Sequence, residues 1–174
     1  SALMKNQTSA CLLLLLICLG EVTQGRHLLL NACSVNVHTQ ELHKYYSHIR
    51  SNAVSSMQHP TLFFMINFVF QEGQTCCFLR LVLRFYVERV FGNYASSQPQ
   101  HQRSSSALAN AFVSIRRDMH KCHCHCTEET QRTVDSLDAA FNKLDMNKAA
   151  QKAVGELDTV LDWLEGLSQK KTVS

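Results

Sequence analysis

SALANAFVSIRRDMHKCHCHC, residues 106–126, holds both features that decide the fold. Leu108, Ala111, Phe112, Ile115 and Met119 recur at three- and four-residue steps, so the first part is an amphipathic helix with one apolar stripe. Ser104, Ser105 or Ser106 is expected to cap its start. Directly after the stripe, Cys122, Cys124 and Cys126 alternate with His123 and His125, behind His120. The stretch predicts a helix that runs into a short extended linker carrying three sulfur atoms.

The chain of 174 residues has eight cysteines. Cys11 and Cys18 fall in a segment that reads as a secretory signal peptide. Lys5 supplies its positive start, residues 10–19 its apolar run, and Thr23, Gln24 and Gly25 its cleavage region. The run is shorter than the ~20 residues of a membrane span. The expectation is a signal peptide over residues 1–25 and a secreted mature domain over residues 26–174, with no membrane insertion. Cys33, Cys76, Cys77, Cys122, Cys124 and Cys126 then remain, and an even number in a secreted chain implies disulfides. Six cysteines allow fifteen pairings, which the sequence leaves open. A bond between adjacent Cys76 and Cys77 would be strained, so the lone cysteine, the pair and the trio suit three long-range bridges. Each would close a loop of roughly 45–90 residues and contribute ~4 kcal/mol on the chain-entropy model. A metal reading competes, because imidazoles and thiolates over residues 120–126 could hold zinc or copper(I). Structural zinc sites usually space their ligands more widely.

Moving outward, Leu42, Tyr45, Tyr46, Ile49 and Ala53 predict a helix over residues 37–55. Residues 62–70, LFFMINFVF, contain one polar side chain and fit neither an amphipathic helix nor an alternating strand. Residues 76–93 carry so wide an apolar face that they predict a central helix covered on several sides. Residues 95–104 are polar, include Pro99 and read as a loop. Thr127 with Glu128 and Glu129 predicts a helix start, followed by the stripe Val134, Leu137, Phe141 and Leu144. A last helix is expected with Asn147 as its cap, Ala150, Val154, Leu157, Val160, Leu161 and Leu164 inward, Trp163 at the flank and Gly166 as its stop.

Composition agrees with a helical bundle. Apolar residues make up 45% and charged residues 18%, which argues against disorder, and 6 Gly and 2 Pro are few for an all-β chain. The net charge of +3 is below a nucleic-acid footprint. No nucleophile with a base, no paired carboxylates and no phosphate loop stand out, so an enzyme is not expected. No N-glycosylation sequon follows residue 25.

Three stretches and one short element carry a resemblance: KAVGELDTVLDWL at 152–164, LRFYVERVFGNY at 83–94, SSALANAFVSI at 105–115, and Cys-His-Cys at 124–126. Together they resemble the interleukin-10 family of helical cytokines, and within it the interleukin-20 subgroup. That resemblance implies an all-α, disulfide-stapled helical cytokine bundle of six to seven helices. It also implies the bridges Cys33–Cys122, Cys76–Cys124 and Cys77–Cys126. It implies a secreted monomer that pairs two class II cytokine receptor ectodomains, an interleukin-20 receptor-like heterodimer, and triggers kinase and STAT signalling without a cofactor. One receptor surface would use the first helix and the helix around 106–119, with Lys44, His48, Arg116 and Arg117 as candidate contacts. The other would use the connection after the first helix together with the last helix, with Lys152 and Asp162. The chain departs from the family twice: His123 alone stands where relatives have a longer spacer, and residues 61–70 replace an amphipathic segment. The rival function is a secreted, disulfide-rich carrier of a lipid or a metal.

Overall fold

The computed structural model describes residues 25–30, 33–54 and 73–169. Within them, β1 (Arg26–Leu30) and β2 (Cys33–Val37) form an antiparallel hairpin. Six α-helices follow: α1 (Thr39–Val54), α2 (Thr75–Phe85), α3 (Pro99–Asp118), α4 (Glu128–Asn142), α5 (Met146–Gly155) and α6 (Leu157–Gln169). The expected signal peptide and the apolar run 62–70 lie outside the described residues.

The centre is α2, with buried side chains on most of its turns: Cys76, Cys77, Leu79, Leu81, Val82, Leu83 and Phe85. Helices α3 and α4 both pack on it, while α1 lies across α3, α5 and α6. Helix α2 runs on into a π-helical turn, Tyr86–Val90, closed by the Phe91 amide donating to the Tyr86 carbonyl at 2.9 Å. The wider turn brings Tyr86 and Phe91 against the same ring of α3. Phe112 is 5.8 Å from Tyr86 and 5.4 Å from Phe91, centroid to centroid, both edge-on. Phe85 continues the network to Phe141 of α4 at 5.4 Å. Edge-to-face contacts of this kind add about 0.5–1.5 kcal/mol per pair beyond the area they bury.

The KAVGELD stretch, expected inside one helix, breaks into two. Helix α5 ends at Gly155, Glu156 is its buried C-cap, and α6 starts at Leu157. Two buried tyrosines hold this elbow. The Tyr86 hydroxyl donates to the Ala153 carbonyl at 2.7 Å, and the Tyr46 hydroxyl to the Gly155 carbonyl at 3.1 Å. Two carbonyls near the end of α5 thereby gain donors inside the core. Burial disfavours both phenolates. Tyr46 is pushed up to about 12, first by burial and then by Asp158, and Tyr86 well above its ordinary value, first by burial and then by Glu156. An unfolded tyrosine ionises near 10.0, so above that pH the unfolded chain sheds protons that the folded chain keeps. Stability should be undiminished by these groups below about pH 10 and fall through the window up to about 12. Denaturation midpoints measured from pH 9 to 12 check this; a flat profile would contradict it.

Other local expectations are corrected. Pro99 starts α3 rather than marking a loop, because at the first helical position its missing N–H has no intrahelical partner to lose. Ser104 and Ser105 are therefore buried within α3, and no serine of that triplet caps it. Asp145, not Asn147, caps α5, accepting from the Lys148 amide at 3.3 Å. Gly166 does not stop the last helix, which reaches Gln169. Leu144 is exposed rather than part of the α4 stripe. Thr127 does cap α4, accepting from the Thr130 amide at 3.3 Å, with Glu128 and Glu129 in its first turn. The hairpin was not expected at all. Its Leu28, Leu30, Val35 and Val37 are buried, and β1 packs against α6.

Candidate functional site

Three disulfides gather at one end of the bundle. Cys33 of β2 is bonded to Cys122, and Cys76 and Cys77 at the start of α2 to Cys124 and Cys126. The Cα separations are 5.3, 5.4 and 5.2 Å, inside the range that a bridge spans without moving backbone. Residues 119–122 form a 3-10 turn ending α3, and His123 takes a left-handed conformation with φ 47°. That residue redirects the chain between the sulfur bound for the hairpin and the two bound for α2. Gln74 ties the same end again: its Oε1 accepts from the Thr127 amide and from the Thr130 hydroxyl, each at 2.9 Å. His120, His123 and His125 are exposed. With all six sulfurs in disulfides, none is a thiolate ligand, and no cluster of three metal-binding side chains occurs among the described residues.

The candidate contact residues lie on helices held by this frame. Lys44 of α1 is exposed, whereas His48 is half-buried with its Nδ1 3.0 Å from the Ser104 hydroxyl of α3. Arg116 lies twelve residues further along α3, about 18 Å at the helical rise, so it does not share a contact spot with His48. Its guanidinium turns to Glu88 of the π turn at 3.2 Å, and its side chain is only 28% exposed. Glu88 also accepts from Arg84 Nε at 3.0 Å, and this hydrogen bond holds its carboxyl below the usual carboxylate range. Arg117 stands out, 74% exposed, with Asp118 3.7 Å away. Lys152 on α5 is half-buried, and Asp162 on α6 is exposed.

Asp162 sits on a row of α6 carboxylates that meets α1. Asp158 lies 3.9 Å from Arg50, and Glu165 3.4 Å from His43. Spacing of 158, 162 and 165 is the i, i+4, i+7 repeat of one helix face. The seam between α1 and α6 is thus edged by charges that the sequence reading did not single out. A signal was present in the seven-residue step from His43 to Arg50, but acid partners over a hundred residues away cannot be matched without the fold. On the far side, Arg89 lies 3.1 Å from Asp138 of α4, donates to the Asn142 side chain, and covers the Phe141 ring at 5.5 Å. No helix among the described residues is long and apolar enough to cross a membrane.

Comparison with known proteins gives a consistent result. The model of the family described as Interleukin 10 matches residues 11–169. Interleukin-20 of Mus musculus is 32% identical over 144 residues, covering 78% of this chain and 82% of that one. Among solved structures, human interleukin-19 superposes with a TM-score of 0.70 at 24% identity, over 75% of this chain and 89% of that one. An edited form of human interleukin 24 gives 0.63 at 29% identity, over 82% and 95%.

Proposed function

This chain belongs to the interleukin-10 family of helical cytokines, which are signalling proteins and not enzymes, and from that premise we propose that it is secreted and pairs two class II cytokine receptor ectodomains. The receptors would form an interleukin-20 receptor-like heterodimer around one copy of the chain, and their association would start kinase and STAT signalling. The observation that carries this reading is the likeness to Mus musculus interleukin-20 over most of both chains. The described structure supports it chemically. Disulfides fix the helix faces before a partner arrives, which lowers the ordering cost of binding. A lipid or metal carrier has less support, since the sulfurs are already bonded to one another.

Among the candidate contacts, exposure favours Lys44, Arg117 and Asp162, because His48, Arg116 and Lys152 are each partly withdrawn from solvent. Lys44→Glu, Arg117→Glu and Asp162→Lys, tested singly, should leave the melting temperature within a degree or two. At a contact that dominates the interface, charge reversal should weaken receptor binding by roughly 30-fold or more, matching the ~2 kcal/mol of a hot-spot residue. Titrating the oxidised, processed chain against receptor ectodomains singly and in pairs reads both effects. Absence of binding to every pair, from helical and monomeric protein, would end the receptor reading.

A further inference from the structure

Between α2 and α3 lies an open cleft of about 310 Å³ lined by Arg80, Leu81, Arg84, Glu88, Arg116 and His120. Its lining therefore carries three guanidiniums and one carboxylate. That carboxylate is already shared between Arg84 and Arg116, through separate oxygens at 3.0 and 3.2 Å. Arg80 meets no carboxylate among the described residues; its Nη2 lies 3.7 Å from the Cys126 sulfur, a weak acceptor. Arg80 and Arg84 are one helical turn apart, about 6 Å along α2, so two planar forks point from neighbouring turns. The Cys77–Cys126 bridge beside them holds that wall of the cleft to the linker.

We propose that this cleft binds the sulfate groups of an extracellular polysaccharide. Guanidinium groups recognise tetrahedral oxyanions through paired hydrogen bonds, and a cleft with excess positive charge concentrates a polyanion. The lining argues for this class of partner over other polyanions. Its one aromatic ring is the small imidazole of His120, and it offers no Phe, Tyr or Trp platform on which successive nucleic-acid bases could stack. Its one apolar side chain, Leu81, is buried and gives a bilayer nothing to take up. The choice of an extracellular partner rests on the reading of the chain as secreted, while receptor binding is not required for it.

The test measures binding of the oxidised, full-length processed chain to immobilised heparin-type polysaccharide. Chemically desulfated polysaccharide, double-stranded DNA and phosphatidylserine vesicles are the other arms. Saturable binding at 0.15 M salt is expected for the sulfated chain alone. Arg80→Ser with Arg84→Ser should weaken it at least tenfold. The same pair should reduce the slope of log affinity on log salt by about 1.5, since each neutralised phosphate contact on nucleic acid contributes about 0.7–0.9. Glu88→Gln should tighten binding and raise the salt needed for elution. If the double variant melts early, Glu88→Gln decides alone, and unchanged or weaker binding overturns the proposal. Equal binding of the desulfated chain, tighter binding of DNA or vesicles, or full retention by a stable double variant also overturns it. Receptor titration of the same samples separates the two readings: a chain that binds the polysaccharide but no receptor keeps this site and loses the cytokine function.

Discussion

Phe112→Ala should lower the stability of the folded chain by about 3–5 kcal/mol, the range for deleting a buried aromatic side chain from a packed core. Phe112 is fully buried and meets Tyr86 and Phe91 edge-on. Removing its ring deletes two aromatic contacts and leaves a cavity between α3 and the π turn. The neighbours cannot close in readily, because Tyr86 is fixed through its hydroxyl to the Ala153 carbonyl. Domains of this kind hold about 5–15 kcal/mol in all, so the variant should stand near the edge of folding. Urea titration followed by circular dichroism measures the loss. A midpoint within experimental error of the parent chain would mean that the aromatic network does not carry the core.

The second large effect concerns the hairpin bridge. Cys33→Ala with Cys122→Ala should cost about 2–5 kcal/mol, because the bridge between positions 89 apart in sequence restrains a long loop in the unfolded chain. Replacing both partners avoids a stray thiol that could exchange with the two neighbouring bridges. The other two bridges should still form, giving two disulfides by mass and no free thiol. A double variant that melts with the parent would show that the remaining bridges and Gln74 already restrain the unfolded chain enough. Because Leu28, Leu30, Val35 and Val37 are core residues, the hairpin should remain docked at low temperature and be the first element lost on heating.

Much of the bundle was legible in advance because its signals are local. The stripe ending at Met119 and the cap at Thr127 each lie within one or two helical turns, where periodicity and capping chemistry act. The π turn was not legible, since an added backbone residue leaves the apolar count of residues 76–93 unchanged. The elbow at Glu156 was hidden for a different reason. Its cause is a pair of tyrosines on α1 and the π turn, up to 109 positions away in sequence. The hairpin was missed because each strand has only five residues, too few for alternation to stand out soon after the apolar run of residues 10–19. For the surface, charge alone could not say that Arg116 is tied to Glu88 across the fold while Arg117, whose ion pair is with its neighbour Asp118, stays 74% exposed.

The bridges drawn to residues 122–126 also decide what a protease can do to this molecule. Any single backbone cut between Cys33 and Cys126 leaves both pieces covalently joined, because at least one disulfide always spans the break. A cut before Cys122 is spanned by the first bridge, a cut between Cys122 and Cys124 by the second, and one between Cys124 and Cys126 by the third. A nick anywhere in that stretch leaves the chain's mass intact except for one added water, and it becomes visible as two fragments only after reduction.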